Sequence, residues 1–263
     1  MMLKRERSTA ISSNKYNMSE KNISFEAIKS YKKDFEYSYT LGAFPTVELI
    51  KNKPEKIRNI YLHSHYKGDC DIEKLCRERH IPVVHDDKVF NRISQKENCF
   101  VAGVVKKYSC ELMGDKNHVV LVNPSDMGNM GTIIRTMVGF GIYDLAIIAP
   151  CADIFNPKTL RASMGAAFRI RFRVFNSFEE YDKEYGNHDY FPFMLDAGRS
   201  LTVETCPHSE LFSLIFGNEA SGLPDSFKNV GQSIFIPQSP DVDSLNLTIA
   251  AGIGIYTFTR CMK

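Results

Sequence analysis

From His118 onward the chain repeats one pattern: a short apolar run rich in β-branched residues, a turn, then a stretch with helical spacing. In order these are "HVVLVN", "NMGTIIRTMVGFG", "YDLAIIAP", "PKTLRASMGAAF", "RIRFRVFN" and "SFEEYDKEY". Two further strands, "YFPFMLDA" and "LFSLIFGNE", a helix over "LPDSFKNV" and a strand over "SIFIPQS" precede a long apolar helix, "SLNLTIAAGIGIYTFTR". Strands that alternate with helices imply a parallel or mixed sheet covered by helices. The same alternation occurs earlier: helix "AFPTVELIKN", strand "RNIYLHSH", helix "CDIEKLCRERH", strand "IPVVHD", helix "KVFNRIS" and strand "FVAGVVKK". A further helix is expected over "SFEAIKSYKKDFEY", whereas "YSCELMGDKN" has little periodic pattern and reads as a connection. The expectation is therefore two α/β domains: a flexible tail at 1–22, a first unit at 23–107, a linker at 108–117 and a second unit at 118–263. With 263 residues, 43% of them hydrophobic, both units have material for a core.

Charge divides the chain at the same place. Residues 1–110 hold 21 Lys/Arg against 14 Asp/Glu, a balance of +7; residues 111–263 hold 12 against 17, a balance of −5. A basic front half suggests a polyanionic partner, although lysines also solubilise small domains. No apolar run approaches the roughly 18 residues of a membrane span, and the basic start has no apolar stretch behind it, as a secretory signal would. Seven scattered cysteines without a C-x-x-C pair argue against a disulfide framework or a cysteine zinc site and point to a reducing cytoplasm. His63 and His65 share one face of a strand, but no Cys or acidic residue stands at ligand spacing, so no metal is expected.

Three stretches of the second unit place polar groups where a plain fold does not need them. In "PSDMGNMGTIIRTMVGFG", Asn129 stands at or near a helix N-cap, Gly131 eases the turn into the helix, and Arg135 interrupts an apolar face. Arg135 is either a snorkelling surface arginine or a guanidinium aimed at a phosphate or substrate oxygen. In "LIFGNEASGLP" a strand ends at Gly217, which permits close approach of a ligand, and Glu219 follows in a loop of small residues; an ordinary turn with a solvated Glu is the alternative. In "IPQSPDVDSLNLTIAAGIGIY", Ser244 or Asp243 caps the terminal helix, and Leu245 and Asn246 occupy its first turn. A helix that apolar is buried in the core or against a second subunit, and Ala250, Ala251, Gly252 and Gly254 allow close helix approach.

In this order, "NMGTIIRT", "FGNEASGL" and "IP…SLNLTIAAGI" resemble the signature of the SpoU–TrmH family of SPOUT RNA methyltransferases, across residues 123–256. "RASMGAAFRIRF" is similar to a further small-residue segment of that family. The front half resembles, more loosely, the RNA-binding accessory domain of many ribosomal-RNA members, akin to a ribosomal protein of the kink-turn class. The resemblance implies a SPOUT-type α/β catalytic domain with a trefoil knot, an S-adenosylmethionine (SAM) cofactor and a homodimer through that domain. The implied reaction is methyl transfer to a ribose 2′-hydroxyl of RNA, most of all ribosomal RNA. It implies catalytic roles for Asn129, Arg135, Glu219, Ser244 and Asn246, and cofactor contacts at Gly217, Ile236 and Leu245. A guanidinium stays protonated, so Arg135 would orient the hydroxyl or a phosphate rather than take its proton. The sequence departs from the pattern in placing Asn123-Pro124 further upstream than usual and Ala220 where Gly is common.

A transfer-RNA methyltransferase and a catalytically silent RNA-binding protein of the same fold are the alternatives. A dinucleotide-dependent enzyme would need a G-x-G-x-x-G turn, and Gly128 and Gly131 do not supply one.

Overall fold

A computed structural model describes residues 28–68, 70–94, 98–196 and 198–261. The expected tail, 1–22, lies outside the described residues, as do the first positions of the expected front unit.

The front half is a four-stranded sheet in the order β1-β4-β2-β3. Its elements are β1 (Tyr37–Leu41), α1 (Ala43–Asn52), β2 (Ile57–Leu62), α2 (Ile72–Glu78), β3 (Val83–His85), α3 (Asp87–Ile93) and β4 (Val101–Lys106). β2 and β3 run parallel, while β4 is antiparallel to both β1 and β2. The helix expected over 24–37 is not formed in its described part: residues 28–36 carry no helix, and Tyr37 already opens β1; residues 24–27 lie outside the described residues. Long-range pairing overrides local helix preference here. β4 supplies the backbone partners of β1, Tyr31 donates to Asp153, and Lys107 Nζ donates to Lys33 O at 2.7 Å.

The second half comprises β5 (His118–Val122), α4 (Met127–Gly139), β6 (Asp144–Ile148), α5 (Pro157–Ala162), β7 (Arg171–Phe175), α6 (Phe178–Tyr185) and β8 (Asp189–Pro192). Then follow β9 (Arg199–Ser200), β10 (Phe212–Phe216), β11 (Ile234–Phe235) and α7 (Leu247–Cys261). Five strands form a wholly parallel sheet, β7-β6-β5-β10-β8, and β11 pairs with β9 in a small second one. Parallel sheets covered on both faces need apolar residues throughout, which is why β5, β6 and β10 are buried along their whole length. The helix expected over "LPDSFKNV" is only a 3-10 turn, Asp225–Asn229, and the strand "SIFIPQS" shrinks to two residues.

Topology selects the ligand-binding end. From β5 the chain winds outward through β6 to β7, then crosses to the far edge as β8 and returns as β10 beside β5. The order therefore reverses between β5 and β10, and the crevice beyond their C-terminal ends is where open α/β sheets hold ligands.

The two halves share a core. Leu49 and Val105 belong to the same apolar cluster as Leu121, Ile134 and Phe155. Ser38 donates to Phe155 O, and Arg169 Nε meets Glu48 at 2.6 Å. The connection 108–117 carries no helix or strand, yet Leu112 is buried and Cys110 N donates to Phe172 O at 3.2 Å.

α7 packs on α4 and under β10. Ala251, Ile255 and Phe258 form its buried face. A Cβ on Gly254 would come within 2.6 Å of the Phe193 ring, so glycine there lets the helix seat against the sheet. Gly252 faces open space. Outward, Ile249, Ile253 and Tyr256 (54%, 36% and 47% exposed) form an apolar stripe that Phe140, at the C-terminal end of α4, extends. The terminal helix is thus buried on one side only. Among the described residues no helix is long and apolar enough to cross a membrane.

Candidate active site

The site grows from the two strand ends at the switch point. After β5, Asn123 adopts a positive φ of 51° and its Nδ2 donates to Ala149 O at 2.8 Å, tying the ends of β5 and β6 together. α4 is then capped by Asp126, whose Oδ1 accepts from Asn129 N at 2.7 Å. Asn129 is therefore not the cap. It lies in the first turn, and its side chain is free to reach across the crevice.

After β10 the chain makes a tight turn in which Asn218 and Gly222 exchange backbone hydrogen bonds of 3.1 and 2.9 Å. A Cβ on Gly217 would strike the Gly222–Leu223 backbone at 2.2–2.4 Å. Glycine at 217 therefore first lets the loop fold over its own strand end, a requirement separate from ligand approach. Asn218 fastens the turn: Oδ1 accepts from Ala220 N and Nδ2 donates to Asn123 O, at 2.9 and 2.8 Å.

Glu219 bridges the two loops. Its carboxylate accepts from Ser125 N (3.1 Å), Ser125 Oγ (2.7 Å), Asp126 N (3.1 Å) and, at a longer 3.4 Å, Asn129 Nδ2. Burial pushes its pKa up, but the Ser125 hydroxyl and the surrounding N–H donors outweigh burial and hold it below the ordinary carboxylate range. Anionic Glu219 also suits the positive end of α4. Asp126 is likewise held low, first by Asn129 N, with the half-buried carboxylate facing Lys158 Nζ at 3.3 Å.

Beside this bridge lies a pocket of about 220 Å³ whose wall includes Gly217, Glu219, Ile236, Ser244 and Leu245. The stacked rings of Phe193 and Phe216, 4.4 Å between centroids, also line it. Five of the eight residues singled out in the sequence thus meet at one cavity, and Asn129 joins through Glu219. Asn246 does not line it. Its Oδ1 accepts from Thr248 N and Thr248 Oγ1 at 2.8 and 2.6 Å, so Asn246 caps α7. The cap expected at Ser244 or Asp243 is displaced because Ser244 and Leu245 remain in the loop that walls the pocket.

Arg135 stands apart, exposed on α4 and outside the pocket lining. Gly131 differs from expectation as well. It lies inside α4, and a Cβ there would meet Thr159 O at 2.5 Å, so it serves the close contact with α5 rather than the turn.

Sequence reasoning missed Ser125, Asp126 and Asn218, which position the crevice. The S-D-x-x-N spacing before an apolar helix was a readable capping signal for Asp126; Asn218 had none, because its partner Asn123 comes from another strand. Away from the site, His63 lies past the end of β2 and its Nδ1 is turned toward His65 N at 3.1 Å and Asp87 at 3.4 Å. Among the described residues no group of three or more His, Cys, Asp or Glu is arranged to hold a metal.

A parallel sheet with its pocket at the β5–β10 switch point, walled by the second and third motif loops and tied to the first through Glu219, defines the SPOUT class of α/β methyltransferases. The chain belongs to the SpoU rRNA Methylase family, whose family model matches residues 116–256, more than half of its length. It is 36% identical over 141 residues to "Ribosomal RNA small subunit methyltransferase G 2" of Syntrophobacter fumaroxidans, covering 54% of this chain and 27% of that protein. It is 27% identical over 172 residues to a 23S rRNA (guanosine(2553)-2'-O)-methyltransferase of Bacillus subtilis, covering 65% of this chain and 69% of that one. The matched region thus spans well under two thirds of the first relative and just over two thirds of the second. An AdoMet-bound rRNA methyltransferase from Sinorhizobium meliloti shares the fold with a TM-score of 0.73 and 24% identity, over 87% of this chain and 88% of that one.

Proposed function

We propose that this protein transfers the methyl group of SAM to a ribose 2′-hydroxyl of RNA, in the first place ribosomal RNA. The observation that carries the reading is the single pocket that gathers Gly217, Ile236, Leu245, Glu219 and Ser244 at the switch point. The donor set fits the cofactor: apolar side chains and exposed backbone edges suit an adenine ring, and an anionic carboxylate at the pocket suits a cationic sulfonium. In this reading Gly217, Ile236 and Leu245 hold the adenosine part.

SAM supplies an activated methyl group, so the protein's task is alignment of the hydroxyl and relief of its proton. Glu219 is a poor proton acceptor, because its lone pairs already serve Ser125, Asp126 and Asn129. It is a positioning residue that presents Asn129 to the crevice. Ser244 is part of the pocket wall, and Asn246 keeps α7 in register behind it. Arg135, as a permanent cation, orients the 2′-hydroxyl or a neighbouring phosphate.

The outward face of α4 and α7 supports a homodimer: Ile249, Ile253, Tyr256 and Phe140 are large, apolar and exposed. Arg135 is exposed on α4 and absent from its own chain's pocket, so in the dimer it would serve the pocket of the second chain. The division into an RNA-binding unit at 23–107 and a catalytic unit at 118–263, a trefoil crossing in the latter and a cytoplasmic location belong to the same proposal. The basic balance of the front half and seven free thiols support it.

Incubating the protein with tritiated SAM and total RNA, then mapping 2′-O-methyl positions, tests the function. Label in ribosomal RNA that survives as a 2′-O-methyl nucleotide is the expected result. RNA binding without incorporation would overturn it.

A further inference from the structure

The last turn of α7 comes back to the stretch between β9 and β10. There two cysteines from distant parts of the sequence meet. Cys206 is 5% exposed. Cys261 is half-buried, and its thiol donates to Val203 O at 3.6 Å. Val203 lies three residues before Cys206, so the Cys261 thiol is seated on the turn that leads into Cys206. Both border the same apolar cluster, and Cys261 follows Gly254 and Phe258 along the inner face of the helix, away from the Ile249–Tyr256 stripe. Neither residue lines the pocket at the switch point.

The environment keeps the pair reduced and quiet at rest. Burial first, and Cys261 second, push the Cys206 thiol up to about 12, so it stays protonated at neutral pH. Chemistry must therefore begin at Cys261, the more exposed sulfur. Two thiols brought together by the fold are the arrangement that separates a reversible redox pair from an isolated buried cysteine, whose oxidation has no resolving partner.

We propose that Cys206 and Cys261 are a redox-sensitive pair that closes to an intrachain disulfide on oxidation by a peroxide. The Cys261 thiol, as thiolate, attacks one oxygen of the peroxide. The O–O bond breaks, water leaves when the oxidant is hydrogen peroxide, and Cys261 becomes a sulfenic acid. Cys206 then attacks that sulfur, the S–O bond breaks, a second water leaves with the Cys206 proton, and the S–S bond forms. Two thiols lose two protons and two electrons in all. A small thiol in excess returns the pair by exchange.

The bond would clamp the end of α7 to the stretch that follows β9. β9 pairs with β11, next to the pocket residue Ile236, and α7 itself carries the pocket residues Leu247 and Ala250. Oxidation would thus fix the frame on which two pocket walls hang. The inference does not depend on the identity of the substrate.

The test treats the full-length folded chain with hydrogen peroxide, caps free thiols with N-ethylmaleimide, digests without reduction and maps peptides by mass spectrometry. The expected product is one cross-linked peptide joining Cys206 to Cys261, lighter by two hydrogens than its halves. Tm should rise by roughly 5–10 °C and fall back with dithiothreitol. Cys261→Ser, at a half-exposed position that should still fold, must abolish the rise, whereas Cys110→Ser must keep it. Sulfinic acid on Cys261 beside a free Cys206, a disulfide between chains, or a different intrachain pair would each overturn the proposal.

Discussion

Replacing Glu219 by Gln removes the charge at the centre of the crevice and keeps its shape. Each carboxylate oxygen faces a backbone donor: Oε2 accepts from Ser125 N and Oε1 from Asp126 N, both at 3.1 Å. However the amide of Gln is turned, its NH₂ confronts one of them, and the surviving bonds drop from charge-assisted to neutral. A hydrogen bond to a charged group contributes about 1.5–3 kcal/mol, and the low end applies at this partly exposed position. Losing an anion at the α4 N-terminus adds about 0.3–1 kcal/mol. The expected cost is about 2 kcal/mol, or roughly 4–8 °C in Tm at this chain length. Calorimetry at pH 7 measures it, with the exposed Glu55→Gln change as a control that should leave Tm in place. The pH dependence has a fixed sign. Glu219 has a lower pKa folded than unfolded, so its stabilisation is complete above the ordinary carboxylate value and is lost as pH falls through the folded one. The gap between wild type and variant should therefore be full at pH 7 and narrow towards pH 4. A Tm within 1 °C of wild type at pH 7 would refute the bridging role.

Four further outcomes are expected. Arg135→Ala should leave Tm unchanged and reduce methyl transfer at least about 100-fold; mixed with a Gly217→Val chain, it should regain activity if each pocket is served by the other chain, and no regain in a proven mixed dimer would refute that. On the proposed dimer, Ile253→Asp should sediment as a monomer in analytical ultracentrifugation where the wild type sediments as a dimer. Gly254→Ala should cost about 1–3 kcal/mol by driving a methyl into Phe193, whereas Gly252→Ala, facing open space, should change chemical denaturation by no more than about 1 kcal/mol, in the stabilising direction. His118 is fully buried, touches Tyr181 OH at 2.9 Å, and is pushed down to about 4, by burial first and His188 second. Below the ordinary histidine value the unfolded chain takes a proton that the folded chain refuses, so stability should fall between pH 6.5 and 5 by about 2 kcal/mol, a loss that His118→Gln should diminish.

Legibility followed the range of the forces involved. The parallel-sheet strands and α4 were readable because their apolar periodicity is local and strong. β1 was not, because "YSYTL" becomes a strand only when β4 pairs with it, and residues just before it read as helix until Tyr31 and Lys107 tie them down. The motif residues were legible as polar interruptions, while their duties were not. Asn129 looked like a cap and Asp126 took that place; Asn246 looked like a first-turn residue and is the cap; Gly131 looked like a turn glycine and makes room for α5.

The sequence by itself settled the alternation of strand and helix, the family of the second half and the residue types of the site, since periodicity and motif order are properties of neighbours along the chain. Tertiary structure alone decided that the order reverses between β5 and β10. That reversal puts Glu219 against the N-cap of a helix 93 residues earlier, leaves Arg135 outside its own pocket and brings Cys261 to the stretch that holds Cys206. Such contacts depend on which strand lies beside which, and spacing along a chain carries no record of that.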